Sequence, residues 1–239
     1  MVELRIITGR AGAGKSRWVL DRMAARRGQC GQVLLVPEHA THEAELDLCR
    51  ALGDTASRDG EVLSFQSLAT RVLSQTGGIS DITLDNGGKI LIMRRALQEV
   101  SSYLTVFSKP SQRPAFLREL VALADELYAY KIAPSLLLQQ VQDIPGAAGD
   151  KLRSTALLFG AYDARLHGGD FDARSKVQKL CDKLPNSDYL CGKDIYIDGF
   201  SYFNRTEEDI IAAALKQANS VTVTLLGDDS DPQLFRNGI

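Results

Sequence analysis

The hydrophobic and polar positions in the first third of the chain alternate between short strand-like runs and longer amphipathic stretches. Strand-like runs occupy residues 4–8, 33–37 and 61–64. Stretches with helical spacing follow each of them, at residues 17–27, 41–52 and 65–75. Short apolar runs are typical of strands buried in a parallel sheet, and the helices between them serve as crossover connections. The pattern predicts βαβ units around a parallel sheet.

The pattern changes after two consecutive glycines at residues 77 and 78. Helical periodicity then dominates from about residue 85 to residue 183, in segments that cover residues 88–100, 114–130, 150–167 and 174–184. Strand-like runs return at residues 194–198 and 220–226, with a predicted helix over residues 206–218 between them. We therefore predict a discontinuous α/β domain, residues 1–80 and 190–239, with an all-helical inserted subdomain at residues 81–189.

Composition and charge narrow the class of protein without identifying a partner. The 239 residues are 44% hydrophobic and 24% charged, which is typical of an ordinary globular protein rather than a disordered one. The net charge of −2 argues against a uniformly basic nucleic-acid coat protein. It does not exclude a basic patch on one face of the protein. No apolar run approaches the ~20 residues that span a membrane, and no secretory signal precedes the first strand. We expect a cytoplasmic protein without membrane contact. Its four cysteines show no zinc-ligand spacing, and we expect them to be reduced and structural.

The strongest chemical signal is a phosphate-binding loop between the first strand and the first helix. It consists of Gly9, Arg10, Ala11, Gly12, Ala13, Gly14, Lys15 and Ser16. The glycines allow backbone N–H groups to point at phosphate oxygens, and the following helix N-terminus favours negative charge. Lys15 would reach the β- and γ-phosphates and Ser16 would ligate Mg²⁺. The motif, in this strand-to-helix context, predicts an ATP and Mg²⁺ site of the P-loop NTPase type.

A metal-side acid is expected at the end of another strand, and residues 194–198 end in Asp198. A plain turn residue at a strand end is the alternative interpretation of Asp198. Hydrolysing motor ATPases usually carry a glutamate directly after this aspartate to act on the attacking water, but Gly199 stands there. The nearest acids downstream, Glu207 and Glu208, are predicted to begin a helix. We therefore expect nucleotide binding with slow or absent hydrolysis.

Weaker signals point to nucleic acid. Phe65 and Gln66 follow a strand end directly, where an aromatic ring can stack on a single-stranded base and an amide can form hydrogen bonds with it. A core position is the more usual place for a phenylalanine such as Phe65.

The run from Gly227 to Asp231 is acidic. It could contact a metal or the γ-phosphate, or it could be an acidic turn, which is common after a strand.

Taken in order, these segments resemble a known family. The loop, the stretches Pro37–Glu45 (PEHATHEAE) and Leu63–Ala69 (LSFQSLA), and the end of the later strand (IYIDGF) are collinear with the first motor domain of UvrD-like superfamily 1 helicases. The closer resemblance is to the N-terminal part of AddB, also called RexB, the non-motor partner in the bacterial AddAB helicase–nuclease, because "IDGF" replaces the "DE" of the helicases. The resemblance covers essentially the whole chain.

The resemblance implies site residues, a partner and a substrate. The loop would be the nucleotide site, Asp198 the metal-side acid, and Thr41, Phe65 and Gln66 would lie in segments that contact single-stranded DNA. The stretch from Gly227 to Asp229 looks like the start of the motif that couples nucleotide to DNA. The implied partner is the helicase–nuclease subunit of AddA/RexA type, and the implied role is the resection of broken DNA ends for recombinational repair. An iron–sulfur cluster and a nuclease are expected only further downstream in the full-length protein, so this piece alone is expected to lack nuclease and unwinding activity.

Three other functions stay open from the sequence. One is an active DNA-dependent ATPase or helicase domain, which requires an acid other than residue 199 to act on the water. Another is a P-loop kinase of a small molecule or nucleotide, although such enzymes normally carry a short lid rather than a hundred-residue helical insertion. In the last, the loop binds nothing and the domain only supports a partner.

Overall fold

The computed structural model describes residues 3–78, 84–107, 113–141, 143–167 and 175–227. The chain divides into two compact units, one formed by Met1–Ile79 with Lys176–Ile239 and the other by Ser80–Ser175. The first unit contains the sheet and the second is helical. In the described ranges, no helix is both long and apolar enough to cross a membrane.

The sheet has five parallel strands, as the sequence predicts. In chain order they are β1 (Glu3–Gly9), β2 (Gln32–Leu35), β3 (Glu61–Leu63), β4 (Asp194–Ile197) and β5 (Ser220–Leu226). The spatial order is β1-β5-β4-β2-β3. The two strands that come last in the chain therefore lie between its first strand and its second. All four residues of β4 are buried, which is typical of a parallel strand covered on both faces.

The helices follow the predicted pattern. In chain order they are α1 (Lys15–Ala25), α2 (Thr41–Leu52), α3 (Ala56–Asp59), α4 (Phe65–Thr76), α5 (Asn86–Val100), α6 (Pro114–Ala129), α7 (Pro134–Val141), α8 (Gly146–His167), α9 (Lys176–Lys183) and α10 (Arg205–Ala214). The α/β fold with a helical insertion is thus confirmed. The short helices α3 and α7 are absent from the sequence prediction. Proline is well tolerated in the first turn of a helix, and Pro134 is the first residue of α7.

Each face of the sheet has its own apolar core. On one face, Ile195 and Ile197 of β4 pack with side chains of α4, α9 and α10. On the other face, Tyr196 packs with Leu34 of β2 and with side chains of α1 and α2. The alternation follows from the period of two along a strand. It also sends Asp198, one residue beyond β4, toward the same face as Tyr196, where α1 follows the phosphate loop.

Helix α9 packs within the sheet unit, against α4 and α10. The inserted unit accordingly ends at Ser175, earlier than the predicted boundary at residue 189. Leu180 of α9 is fully buried in the core beneath the sheet, and this apolar anchor keeps the helix with the sheet. The helical unit has a separate core formed by α5, α6 and α8 around Met93, Leu120 and Tyr162.

Candidate functional site

The predicted phosphate loop lies between the end of β1 and the start of α1. Gly12 and Gly14 have φ angles of 75° and 84°, which residues other than glycine rarely adopt. Gly14 is the N-cap of α1, no side chain caps this end, and the first turn contains no acidic residue. The N–H groups at this helix end are thus left for an anion, as a phosphate requires. The backbone of residues 9–16 fits a nucleotide phosphate.

Lys15 bends back over the loop. Its ammonium donates hydrogen bonds to the carbonyl oxygens of Gly9, at 2.8 Å, and Arg10, at 2.9 Å. These bonds hold the charge directly above the loop, where phosphate oxygens would take over as acceptors. The carbonyl of Gly9 also accepts the N–H of Gly227, at 3.3 Å, so the end of β5 is bonded to the first residue of the loop.

Ser16 and Asp198 line one cavity of about 350 Å³ at the carboxyl ends of the strands. Most of the other residues that line the cavity are apolar, and the remaining polar ones are Glu43 and Asp47 on α2. A serine hydroxyl and a carboxylate are hard oxygen ligands that suit Mg²⁺. Within the described part of the chain, no group of three or more His, Cys, Asp or Glu side chains could hold a metal on its own. A set of one hydroxyl and one carboxylate would suit an Mg²⁺ ion that nucleotide phosphates also hold, which is how this ion usually binds in proteins.

The backbone conformation at residue 199 favours a glycine there, apart from the absence of a carboxylate. Its φ angle is 82°, and a Cβ atom at this position would lie 3.4 Å from Cδ of Pro37 on the neighbouring chain segment. The turn after β4 thus requires a glycine. This conformational requirement is not visible in the sequence, where the absence of a glutamate is the only signal.

Glu207 is already engaged in the structure of α10. Its carboxylate accepts the backbone N–H of Asn204 at 3.0 Å, and the side chain of Asn204 accepts the N–H of Glu207, which completes a capping box. Burial raises the pKa of Glu207, partly offset by the hydrogen bond from the Asn204 backbone. Glu207 and Glu208 lie in the first turn of α10, as predicted, so Glu207 serves the helix end rather than a water molecule.

We expect Gly199→Glu to destabilise the domain. A non-glycine residue in the left-handed region costs about 1 to 2 kcal/mol, and Gly199 has a φ angle of 82°. Urea unfolding should show this loss, and Gly199→Ala should show a similar loss because the strain comes from the backbone and the Cβ atom. Wild-type stability in both variants would contradict this account of the turn.

The three predicted DNA contacts differ in their surroundings. Phe65 is only 5% exposed and its ring packs edge-on against Phe200, with 5.4 Å between the ring centroids. The interpretation of Phe65 as a core residue is therefore confirmed, and its ring is not placed to stack on a base. Gln66 is exposed at the start of α4. Thr41 begins α2, and its hydroxyl donates to the carbonyl of Glu38 at 3.0 Å.

A further exposed aromatic residue, which is not among the predicted contacts, lies in the segment after β4. Tyr202 is 63% exposed in the segment between β4 and α10. Its neighbours Phe200 and Phe203 pack against each other at 5.2 Å and anchor the segment to the core. The segments that contain Thr41, Gln66 and Tyr202 follow β2, β3 and β4, which are adjacent in the sheet. The aromatic run between Phe200 and Phe203 is the signal that could have found it.

The acidic run after β5 is described only at its first residue. Gly227 lies directly beyond β5, and its N–H donates to the carbonyl oxygen of Gly9. Asp228 to Asp231 lie outside the described residues. Contact of this run with a metal or with the γ-phosphate stays a prediction.

The whole α/β unit with its insertion matches one known family. A family model described as "ADDB, N-terminal" matches residues 6–237. The chain belongs to the AddB N-terminal family. It is 32% identical over 237 residues to the B subunit of the ATP-dependent helicase/deoxyribonuclease of Clostridioides difficile, and 36% identical over 235 residues to the protein of the same name from Desulforamulus reducens. Each match covers 95% of this chain and 20% of the relative, so the chain spans about a fifth of the length of these proteins.

Proposed function

We propose that this chain is a nucleotide-binding and DNA-contacting module of an AddB-type helicase/deoxyribonuclease subunit, which acts in the cytoplasm in the recombinational repair of broken DNA ends. Membership of the AddB N-terminal family and the names of its relatives support the assignment. The observation that carries the nucleotide part is the shared cavity of Ser16, from the phosphate loop, and Asp198, from the end of β4.

The nucleotide in this proposal is ATP with Mg²⁺. The backbone of Gly9 to Ser16 would surround the phosphates, Lys15 would neutralise their charge, and Ser16 with Asp198 would hold the metal. Hydrolysis would be slow, because Gly199 carries no carboxylate and Glu207 is engaged in capping α10.

The partner in this proposal is the helicase–nuclease subunit of AddA/RexA type, and the substrate is the DNA end that the two subunits process together. The relatives are named as the B subunit of a helicase/deoxyribonuclease, and this name implies a second subunit for them. Nuclease activity and any iron–sulfur cluster would belong to parts of such a protein outside this chain. No nuclease or unwinding activity is proposed for the chain alone.

Isothermal titration of the chain with a non-hydrolysable ATP analogue and Mg²⁺ tests the nucleotide assignment. We expect saturable binding with one site per chain. A flat titration at millimolar nucleotide would contradict the proposal and favour a loop that only supports a partner.

One observation favours an active DNA-dependent ATPase as a second candidate. Glu43 lines the same cavity as Ser16 and Asp198, so a carboxylate other than residue 199 faces the site. Single-turnover hydrolysis of ATP, measured with and without single-stranded DNA, separates the two candidates. Strong stimulation by DNA would establish the second candidate, whereas slow hydrolysis in both conditions supports the first.

We expect Tyr202→Ala to weaken the binding of single-stranded DNA. Stacking of a base on an aromatic ring contributes about 1 to 3 kcal/mol by alanine substitution, and Tyr202 is an exposed ring at the same edge of the sheet as Gln66 and Thr41. Fluorescence anisotropy with a labelled oligonucleotide measures the change. Tyr103→Ala is the matched control, because Tyr103 is similarly exposed but lies in the helical unit. Equal affinity of the wild type and the Tyr202 variant would contradict the assignment.

A further inference from the structure

A buried hydrogen bond joins two neighbouring strands beside the cavity of Ser16 and Asp198. The hydroxyl of Thr224, on β5, donates to Oδ1 of Asp198, one residue beyond β4. Thr224 is 2% exposed and Asp198 is 9% exposed. The pairing of Ile197 with Val223 places these two residues side by side at the next position of the register. The contact is therefore built into the pairing of the strands.

The bond fixes the orientation of a group that otherwise rotates easily. The terminal torsion of an aspartate is broad and has no single preferred angle. An O–H donor to a carboxylate forms one of the stronger hydrogen bonds in proteins, and here water has little access to it. Oδ1 of Asp198 is thus occupied, while Oδ2 has no hydrogen-bond partner among the described residues. The free oxygen belongs to the residue that lines the cavity with Ser16.

We propose that Thr224 is a positioning residue for the metal: its hydroxyl holds Asp198 so that Oδ2 is available to Mg²⁺ or to one of its waters. The inference rests on the proposed nucleotide site and deepens it. It assigns to β5, the strand between the phosphate-loop strand and the strand of Asp198, a role in metal binding that acts through Asp198. A negative charge held by one neutral donor stays available to a cation, whereas a salt bridge would compete with the ion.

Thr222 offers a matched comparison on the same strand. It lies two residues before Thr224, points toward the same face and is equally buried, at 2% exposure. Thr222 pairs with Tyr196 inside the sheet, so it lies two residues further from the carboxyl ends of the strands than Thr224 does. A purely structural role of buried hydroxyls in β5 would make the two threonines equivalent, whereas a positioning role would make only Thr224 affect the metal.

The experiment titrates Mg²⁺ against binding of a non-hydrolysable ATP analogue by calorimetry, in the whole chain. Thr224→Val removes the hydroxyl and keeps the shape. Because Asp198 loses the bond that fixes its orientation, we expect the half-saturating Mg²⁺ concentration to rise about tenfold. Binding of the analogue in EDTA should be unchanged. Thr224→Ser, which keeps the hydroxyl, should stay within about twofold of the wild type, and Thr222→Val should leave the Mg²⁺ dependence unaltered.

Each result decides the question. An unchanged Mg²⁺ dependence in Thr224→Val overturns the positioning role, as does an equal change in Thr222→Val. If the valine variant does not fold, Thr224→Ala removes the same hydroxyl without adding a methyl group, and its comparison with Thr224→Ser carries the test. If the wild type does not bind the nucleotide, the proposed function itself is wrong. If the wild type binds the nucleotide normally and the Thr224 variants behave like it, only the positioning role is wrong.

Discussion

Lys15→Ala is expected to weaken the binding of a non-hydrolysable ATP analogue with Mg²⁺ by about a hundredfold or more, since it removes charge-assisted hydrogen bonds to the phosphates. The ammonium of Lys15 already lies over the loop, 2.8 Å from the carbonyl of Gly9 and 2.9 Å from that of Arg10. Little reorganisation is needed for phosphate oxygens to replace these acceptors. Isothermal titration measures the loss directly.

Arg17→Ala is the matched control for this prediction. Arg17 is two residues further along α1, its side chain is 78% exposed, and it pairs with Asp21 on the helix surface at 3.0 Å. Exposed pairs of this kind contribute little, so nucleotide affinity and stability should stay near those of the wild type. If the Lys15 variant and the wild type bound the nucleotide with equal affinity, the assignment of the loop to the nucleotide site would be wrong.

Asp194→Asn is expected to lower the free energy of unfolding by about 3 kcal/mol, because it leaves a buried ionic network without its central charge. The carboxylate of Asp194 has no exposed surface and accepts hydrogen bonds at both oxygens. The donors are Arg26, Cys30 at 3.0 Å, Asn219 at 2.8 Å and Ser220 at 2.7 Å. An amide nitrogen at one of the two positions cannot accept a bond, so at least one donor is left unsatisfied. Urea unfolding gives the difference.

The pH dependence of that difference follows from the pKa of Asp194. Burial by itself raises this pKa, but the hydrogen bonds from Cys30, Ser220, Asn219 and Arg26 outweigh burial and bring the pKa below its ordinary value of 3.8. A carboxyl group whose pKa is lowered by folding stabilises the folded state fully above its unfolded pKa, and the contribution is lost as the pH falls through the folded pKa. The gap between wild type and variant should therefore be constant near neutral pH and narrow below about pH 4.

Glu208→Gln serves as the control for the Asp194 variant. Glu208 pairs with Arg205 on the surface of α10, and both side chains are more than half exposed. Such a pair contributes at most about 1 kcal/mol, so this variant should unfold close to the wild type at every pH. If the two variants lost equal stability, burial of the Asp194 network would not be the cause.

Much of the sheet unit is predictable because its signals are local. Helix α2 has the predicted bounds, and the loop from Gly9 to Ser16 lies between a strand and a helix as the motif requires. Asp198 is marked by the apolar strand before it. Glu207 is placed correctly at a helix start, because its spacing from Asn204 is that of a capping box.

What the sequence leaves undecided at the site involves residues whose role depends on distant partners. The sequence leaves both a core position and a base contact open for Phe65, and Phe200, 135 positions later in the chain, packs against its ring and decides for the core. Gly199 is interpreted from sequence as a lost acid, whereas its left-handed backbone and the proximity of Pro37 explain the glycine. No window of neighbouring residues contains either fact.

The sequence by itself determined most of the elements, the parallel α/β class and the place of the phosphate loop, because hydrophobic periodicity and glycine placement act over a few residues. Only the tertiary structure decided the order of the strands. It inserts β5 between β1 and β4 and so brings Thr224 to Asp198 and Gly227 to Gly9. The physical reason is that strand order depends on how the apolar faces of helices and strands far apart in the chain pack together, and this packing sets which side chains meet at the site.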